Sequence, residues 1–342
     1  MNDARTSTSI CAVSDPAMTL DALVTRYKGD RVSGWQKLRY HTRQNHEFLL
    51  TRILATHGAR TIASIRRRDI EEWHLDWSDD GRKVAMGHSF MSKLRTLFNY
   101  GASMLEDPDC IRMAMVLRGC KFAMGAPRKS FIQAQHAIAI RRQAHRIGYP
   151  SIALAQALQF EIVLRQRDVI GEWVPETECV ESDLTWHGAK WHRGLLWDEI
   201  DGDLVLRHKT SKTRKDLEVD LTLAPMVMEE IDALPQYMRL SSGPVVICEA
   251  TGLPWHASEF RRKWRLCADE AGVPRELFNM DSRSGGITEG TDAGIPIEFM
   301  SKAATHSDVA TTMRYNRNDP KKIADALRQR AAYRQQIISQ QG

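Results

Sequence analysis

The segment His306-Ser307-Asp308-Val309-Ala310-Thr311-Thr312-Met313-Arg314-Tyr315 sets a histidine nine residues ahead of a tyrosine. Working outward, Arg283 stands 23 residues before His306, in Met280-Asp281-Ser282-Arg283, and Gly294 follows Arg283 by eleven. Further upstream, Val163-Leu164-Arg165-Gln166-Arg167-Asp168-Val169 closes an apolar stretch with an arginine and, three places on, an acid. Between them lies His208-Lys209-Thr210-Ser211-Lys212, with Lys209 at the end of a predicted strand. Singly, each has an ordinary use. An arginine ending a helix reaches for solvent or a carboxylate. A histidine before threonines caps or packs, a tyrosine near a C-terminus packs, and a lysine in a basic turn is solvated. Their common order and spacing make them a set.

Around this set the chain is an average globular sequence. Its 342 residues suggest about two domains, and 42% hydrophobic with 27% charged residues excludes a disordered or fibrous chain. No apolar run reaches the ~20 residues of a membrane span; Ser151 to Phe160 stops at Glu161. The first eighteen residues hold Asp3, Arg5 and Asp15 with no apolar h-region, so a secretory signal is not expected. The six cysteines are scattered without a CxxC pair, which argues against a disulfide framework or structural zinc and for a reducing cytoplasm. The net charge is +5, unevenly placed: residues 1–130 carry 21 Lys+Arg against 14 Asp+Glu, and the remainder 27 against 29. A basic module ahead of a nearly neutral one suits a polyanionic partner held by the first and worked on by the second, or is simply a solvated basic surface.

The pattern predicts a loose leader over 1–18, then four helices: from Leu20 with Thr19 as cap, over Trp35 to Ala55, over Asp69 to Trp77 and over Ala85 to Leu105. This front domain spans 19–124. Gly125-Ala126-Pro127-Arg128-Lys129 reads as a linker, 125–130, whose cations prefer water or phosphate. The second domain, 131–342, opens with helices at Ile132 to Ile147 and Ser151 to Trp173. Three short strands follow, around Leu195-Trp197, Leu204-Leu206 and Leu217-Leu221. Helices return at Ala224 to Leu234, His256 to Ala271, Ile295 to Ala304 and Pro320 to Gln336. The expected fold is mainly α with a small antiparallel β-sheet.

The ordered set Arg, Lys, Arg, His, Tyr resembles that of the tyrosine recombinase (phage integrase) family, over about 300 residues from Thr19 on. The segment around Arg165 resembles the family's "GLR-x-x-E-[LI]" box, and Lys209 its β-hairpin lysine. Arg283 is similar to the arginine of its H-x-x-R box, with Gly294 where the following helix ends. His306 is similar to the histidine of "L-G-H", although Ala304-Thr305 precede it here. Thr311-Thr312-Met313-Arg314-Tyr315 resembles "T-T-x-x-Y". The front domain resembles the SAM-like four-helix core-binding domain. Two departures stand out. The first position of the H-x-x-R box is Met280, whose thioether neither donates nor accepts a proton, so a slowed rate is expected. Arg165 and Lys209 are 44 residues apart, about twenty more than in shorter members, and the surplus falls in Glu176 to Gly194, read as a decorated surface loop.

The resemblance implies site-specific DNA cleavage and rejoining without metal, ATP or other cofactor. Tyr315 would be the nucleophile, forming a 3′-phosphotyrosyl bond. Arg165 and Arg283 would cradle the non-bridging oxygens with planar, permanently charged forks. His306 would bond the phosphate or handle the tyrosine proton, and Lys209, with Lys212 as second choice, would protonate the departing 5′-oxygen. No acidic pair is spaced as a two-metal nuclease requires. Lys37, Arg39, Arg43, Lys93 and Arg95 are the expected DNA contacts of the front domain, joined by Arg66-Arg67-Arg68 unless that run is merely solvated; such contacts set affinity and salt dependence. The implied assembly is a homotetramer on two duplexes, with the 320–336 helix exchanged between subunits and an excisionase as accessory partner. A replicon resolvase, a type IB topoisomerase and an accessory DNA-binding protein weakened at Met280 are the rival readings. The compact front domain argues against the topoisomerase, and retention of Tyr315 against the accessory protein.

Overall fold

The computed structural model describes residues 17–126, 128–239, 241–313, 327–328 and 330–334. The described residues are 57% helical with small antiparallel sheets, and the chain divides into two compact units, Met1–Ala126 and Pro127–Gly342. No helix among the described residues is long and apolar enough to cross a membrane.

Among its described residues, five α-helices build the first unit: α1 (Leu20–Gly29), α2 (Tyr40–His57), α3 (Arg67–Ser78), α4 (Val84–Met104) and α5 (Pro108–Gly119). Thr19 caps α1, its hydroxyl accepting from the Ala22 N–H at 3.1 Å. The single helix expected from Trp35 is broken: a 3₁₀ turn, Gly34–Lys37, ends at extended Leu38, and α2 starts at Tyr40. Helix α5 is one more than the sequence pattern suggested. Its start is locally encoded, since the Asp107 carboxylate accepts from the Cys110 N–H at 2.8 Å and Pro108 occupies the first turn. It packs against α4 where Gly101 leaves room for the Cys110 thiol. Leu23, Ile53, Ile70, Phe90 and Phe98 fill the shared core.

The second unit is organised around α7 (Pro150–Phe160), in which every residue from Ser151 to Phe160 is buried. A helix apolar on all sides must be enclosed, and α6 (Ala134–Arg146), α9 (Pro225–Ala233), α10 (Ala257–Glu270) and α11 (Asp281–Asp292) pack around it. Among its three buried polar residues, Ser151, Gln156 and Gln159, the second serves the packing directly: Gln156 Oε1 accepts from Trp264 Nε1 of α10 at 2.8 Å and Ser282 Oγ of α11 at 3.1 Å. The helix does not run on to Trp173 as the apolar pattern suggested. Val163 adopts a left-handed φ of 48°, the chain turns, and a short α8 (Gln166–Ile170) leads into β1 (Glu172–Pro175).

The surplus segment Glu176 to Gly194 is a surface loop over much of its length, but its second half is built into a sheet. Strands β2 (Thr185–Trp186) and β3 (Ala189–His192) form a hairpin that joins β1 in an antiparallel sheet of order β1-β3-β2, pairing Trp173 with Trp191. A second, two-stranded sheet pairs β4 (Val205–Lys209) with β5 (Asp216–Asp220). Leu195–Trp197 is not a ladder strand: Leu196 makes an isolated bridge to Pro244, and Trp197 opens a 3₁₀ turn. Helices α12 (Ile297–Ala303) and α13 (Val309–Met313) close the described core. The 320–336 helix falls largely outside the described residues, of which 327–328 and 330–334 are helical.

Candidate active site

Arg165 is the N-cap residue of α8, delivered there by the turn at Val163. Its backbone N–H donates to Asp168 Oδ2 at 3.3 Å, and its guanidinium Nη1 lies 3.8 Å from the same oxygen. Asp168 is fully buried, and its other oxygen accepts from the Ser211 N–H at 2.7 Å. One carboxylate thus ties the start of α8 to the β4–β5 turn that carries Lys212.

Arg283 lies in the first turn of α11 and is buried. Its guanidinium donates from Nη1 to the Val163 carbonyl and from Nη2 to the Ala304 carbonyl. Two glycines let α11 come this close. A Cβ on Gly285 would stand 1.9 Å from the carbonyl oxygen of Ile132, and one on Gly286 1.9 Å from that of Phe160. Ser284-Gly285-Gly286 is therefore a backbone-to-backbone contact between α11, the end of α7 and the entry to α6.

The turn Ala304–His306 collects the remaining groups. Arg165 Nη1 reaches Thr305 Oγ1 at 3.5 Å, Thr213 Oγ1 donates to the Thr305 carbonyl at 3.4 Å, and Lys215 Nζ donates to the His306 carbonyl at 2.5 Å. Thr305 has φ 49°, a left-handed conformation costly for a β-branched residue. This accounts for the glycine that the resembled motif carries before its histidine, and shows what threonine adds here: a hydroxyl facing Arg165.

His306 is buried, with Nδ1 2.7 Å from Thr312 Oγ1. Burial, then the cations Arg283, Arg165, Lys215 and Lys212, push its pKa down to about 4. The imidazole is therefore neutral at pH 7, with one nitrogen able to donate and the other to accept. A neutral imidazole between two fixed guanidinium groups can bind a phosphoryl oxygen or move a proton without adding a third full charge.

Arg165, Arg283 and His306 thus come together from three distant segments. Lys212 and Lys215 act electrostatically on the same histidine, whereas Lys209 points its exposed ammonium toward Asp216 at 3.9 Å. Lys215 and Thr213 were not singled out by the sequence; nothing in their spacing marks them, because their partner is a backbone turn about ninety residues away. Met280 precedes α11 with its side chain 66% exposed. Its neighbours face other partners: Asp281 binds Arg128 at 2.7 Å, and Ser282 binds Gln156. Arg128, expected to prefer water or phosphate, is thus committed to Asp281 and also lies over the Phe278 ring. Tyr315 lies outside the described residues.

In the first unit, two expected DNA contacts are instead structural. Lys93 is 8% exposed with Nζ 2.6 Å from His46 Nε2; its stem lies on the core face of α4, and burial lowers its pKa to about 8. Arg95 donates to the carbonyls of Leu117 and Cys120, closing the end of α5. Arg43 bonds the Leu38 carbonyl at 3.0 Å from the first turns of α2, Arg39 is the N-cap residue of that helix, and Lys37 is exposed just before it. Arg67 and Arg68 pair with Glu71 and Glu72 on the exposed face of α3.

No family profile and no curated protein sequence matches the chain. Solved structures do. The chain is similar to lambda integrase, solved as a dimer bound to a COC′ core site, with TM-score 0.68 and 16% identity over 89% of this chain and 97% of that one. It is also similar to lambda integrase in a tetramer bound to a Holliday junction (TM-score 0.67, 15% identity, 88% of this chain and 78% of that one). Tn1549 transposon integrase in complex with circular intermediate DNA matches with TM-score 0.62 and 14% identity, over 90% and 98% of the two chains. The fold is that of the tyrosine recombinases. At these identities the likeness establishes the fold.

Proposed function

We propose that this protein is a tyrosine-type site-specific DNA recombinase, an integrase that cleaves and rejoins duplex DNA for a phage or other mobile element. The observation that carries the reading is the convergence of Arg165, Arg283 and neutral His306 on the turn Ala304–His306, just ahead of Thr311-Thr312 and Tyr315. In this reading the Tyr315 oxygen attacks phosphorus, and the 3′-phosphotyrosyl bond forms as the bond to the 5′-oxygen breaks. Arg165 and Arg283 hold the non-bridging oxygens of the phosphorane. His306 takes up the tyrosine proton or bonds the phosphate. Lys212, rather than Lys209, supplies the proton to the 5′-oxygen: it sits beside Ser211, which Asp168 ties to Arg165, and its charge is felt at His306. Lys215 is already used on the His306 carbonyl. Rejoining reverses these steps.

The lambda integrase tetramer on a Holliday junction supports a homotetramer acting on two duplexes. The positive excess of residues 1–130, with Lys37, Arg39 and Arg43 around the start of α2, supports a DNA-holding first unit in the nucleoid. The test is a nicked suicide substrate carrying the cognate site. The wild-type chain should become covalently attached in excess EDTA, and Tyr315→Phe should bind the DNA without forming the adduct. An undiminished adduct with Tyr315→Phe, or activity lost to EDTA and restored by magnesium, overturns the reading.

A further inference from the structure

The surplus segment, Glu176 to Gly194, packs through Trp191 against the far end of the five-residue helix that Arg165 caps. Helix ends leave their last carbonyls without intrahelical partners. Here Trp191 and the residue just after the surplus segment supply two of them. Trp191 Nε1 donates to the Ile170 carbonyl at 2.9 Å, and the Leu195 N–H donates to the Val169 carbonyl at 3.4 Å. The indole sits against bare backbone: a Cβ on Gly171 would stand 2.3 Å from Trp191 Nε1, and one on Gly194 2.3 Å from Trp191 Cζ2. A second tie lies alongside. Glu172, 5% exposed, faces Arg193 at 2.9 Å and Arg167 of α8 at 3.3 Å. At the near end of the same helix, Asp168 holds both the Arg165 backbone and the Ser211 N–H.

We propose that Trp191, at the centre of the surplus β1-β3-β2 sheet, is a positioning residue for Arg165, acting through α8. The proposal rests on the recombinase reading of Arg165. A five-residue helix is too short to hold its place by its own hydrogen bonds, so its position is set by what closes its two ends. Displacing a catalytic group by about 1 Å costs on the order of 10²-fold in rate. Trp191→Phe keeps a ring in the slot but removes the Nε1–H bond to Ile170 and the ring edge against Gly194, so a slowing of about 3–10-fold is expected. Trp191→Ala also empties the slot, and about 10²-fold is expected.

The experiment is a double-mutant cycle on the full chain. Single-turnover adduct formation on the suicide substrate is measured for wild type, Trp191→Phe, Arg165→Lys and the double variant, together with DNA affinity. The expected result is that Trp191→Phe slows cleavage at unchanged DNA affinity, and that it slows Arg165→Lys much less or not at all, since both changes act on one group. Trp186→Ala, at the exposed tip of the same sheet, should leave the rate unchanged. Equal slowing by Trp191→Phe in both backgrounds would show a general structural effect and overturn the proposal, as would loss of DNA affinity in step with rate, or no slowing. If Arg165→Lys itself cleaves at the wild-type rate, the assignment of Arg165 fails, a result separate from any behaviour of Trp191.

Discussion

Replacing Gly286 by alanine tests whether the approach of α11 to α7 sets the position of Arg283. The added Cβ would stand 1.9 Å from the Phe160 carbonyl oxygen, and real Cβ atoms do not approach below 3.0 Å, so one helix must retreat by about 1 Å. The nearest atom it meets is backbone, so no side-chain rotation relieves that contact. Overpacking of this kind costs about 1–3 kcal/mol, against a gain of ~0.5–1 kcal/mol for alanine over glycine inside a helix. A net loss of about 1–2 kcal/mol is expected. The larger effect is on rate. Arg283 is three residues away on α11 and is held by the carbonyls of Val163 and Ala304, and in the proposed reading a shift of about 1 Å at this phosphate-binding group costs ~10²-fold. Gly290→Ala on the same helix is the control, because its Cβ would meet only the flexible Met300 side chain. Single-turnover adduct formation on a suicide site, well below each variant's melting temperature, gives the rates, and thermal unfolding gives the stabilities. Gly286→Ala within about threefold of wild type, or Gly290→Ala equally damaging, would refute the reasoning.

Three further outcomes follow. Lys212→Met should lose about 10²–10⁴-fold in cleavage and recover on a substrate whose leaving group is a 5′-thiolate, which needs no proton; Lys209→Met should stay near wild type, and recovery confined to Lys209→Met would reverse the assignment. His46 should titrate near 4 rather than 6.5, because burial, and then the Lys93 ammonium, lower its pKa. The unfolded state therefore binds more protons between those values, so the stability from neutral His46 is present above about pH 6.5 and is lost as pH falls toward 4. NMR titration of the imidazole checks this, Lys93→Met should move the midpoint upward, and a midpoint at 6.5 in the wild-type chain would contradict it. Met280→His should change the cleavage rate by less than about threefold, because Met280 is exposed and its neighbours Asp281 and Ser282 are engaged with Arg128 and Gln156; a gain of tenfold or more, the lower reach of acid–base help, would refute it.

Much of the fold was legible because it is written locally. Thr19 marks the start of α1, the apolar run from Ser151 to Phe160 announces an enclosed helix, and Leu217, Val219 and Leu221 lie along the pairing segment of β5 and its exit. What misled was continuity of apolar residues across a break. Nothing in Glu161 to Val169 resembles a helix stop, yet Val163 turns the chain through a left-handed conformation to set Arg165 at the head of a new helix. Hydrophobic periodicity reports which residues want to be buried, not whether the backbone between them is straight.

The sequence by itself set out the candidate residues and their order: two permanently charged forks, a histidine, lysines near a predicted strand end and a tyrosine at fixed offsets. It also determined the mainly α character and the enclosed helix at the centre of the second unit. Only the tertiary structure decided which lysines share the field of His306, that Lys93 and Arg95 are bonded within the first unit, and that Trp191 of the surplus segment closes a helix end. The physical reason is range. Capping and periodicity act over a few residues and leave a trace in the sequence. A carbonyl at Ala304 held by Arg283, or an indole from Trp191 closing the helix at Ile170, depends on segments that meet only once the core has packed.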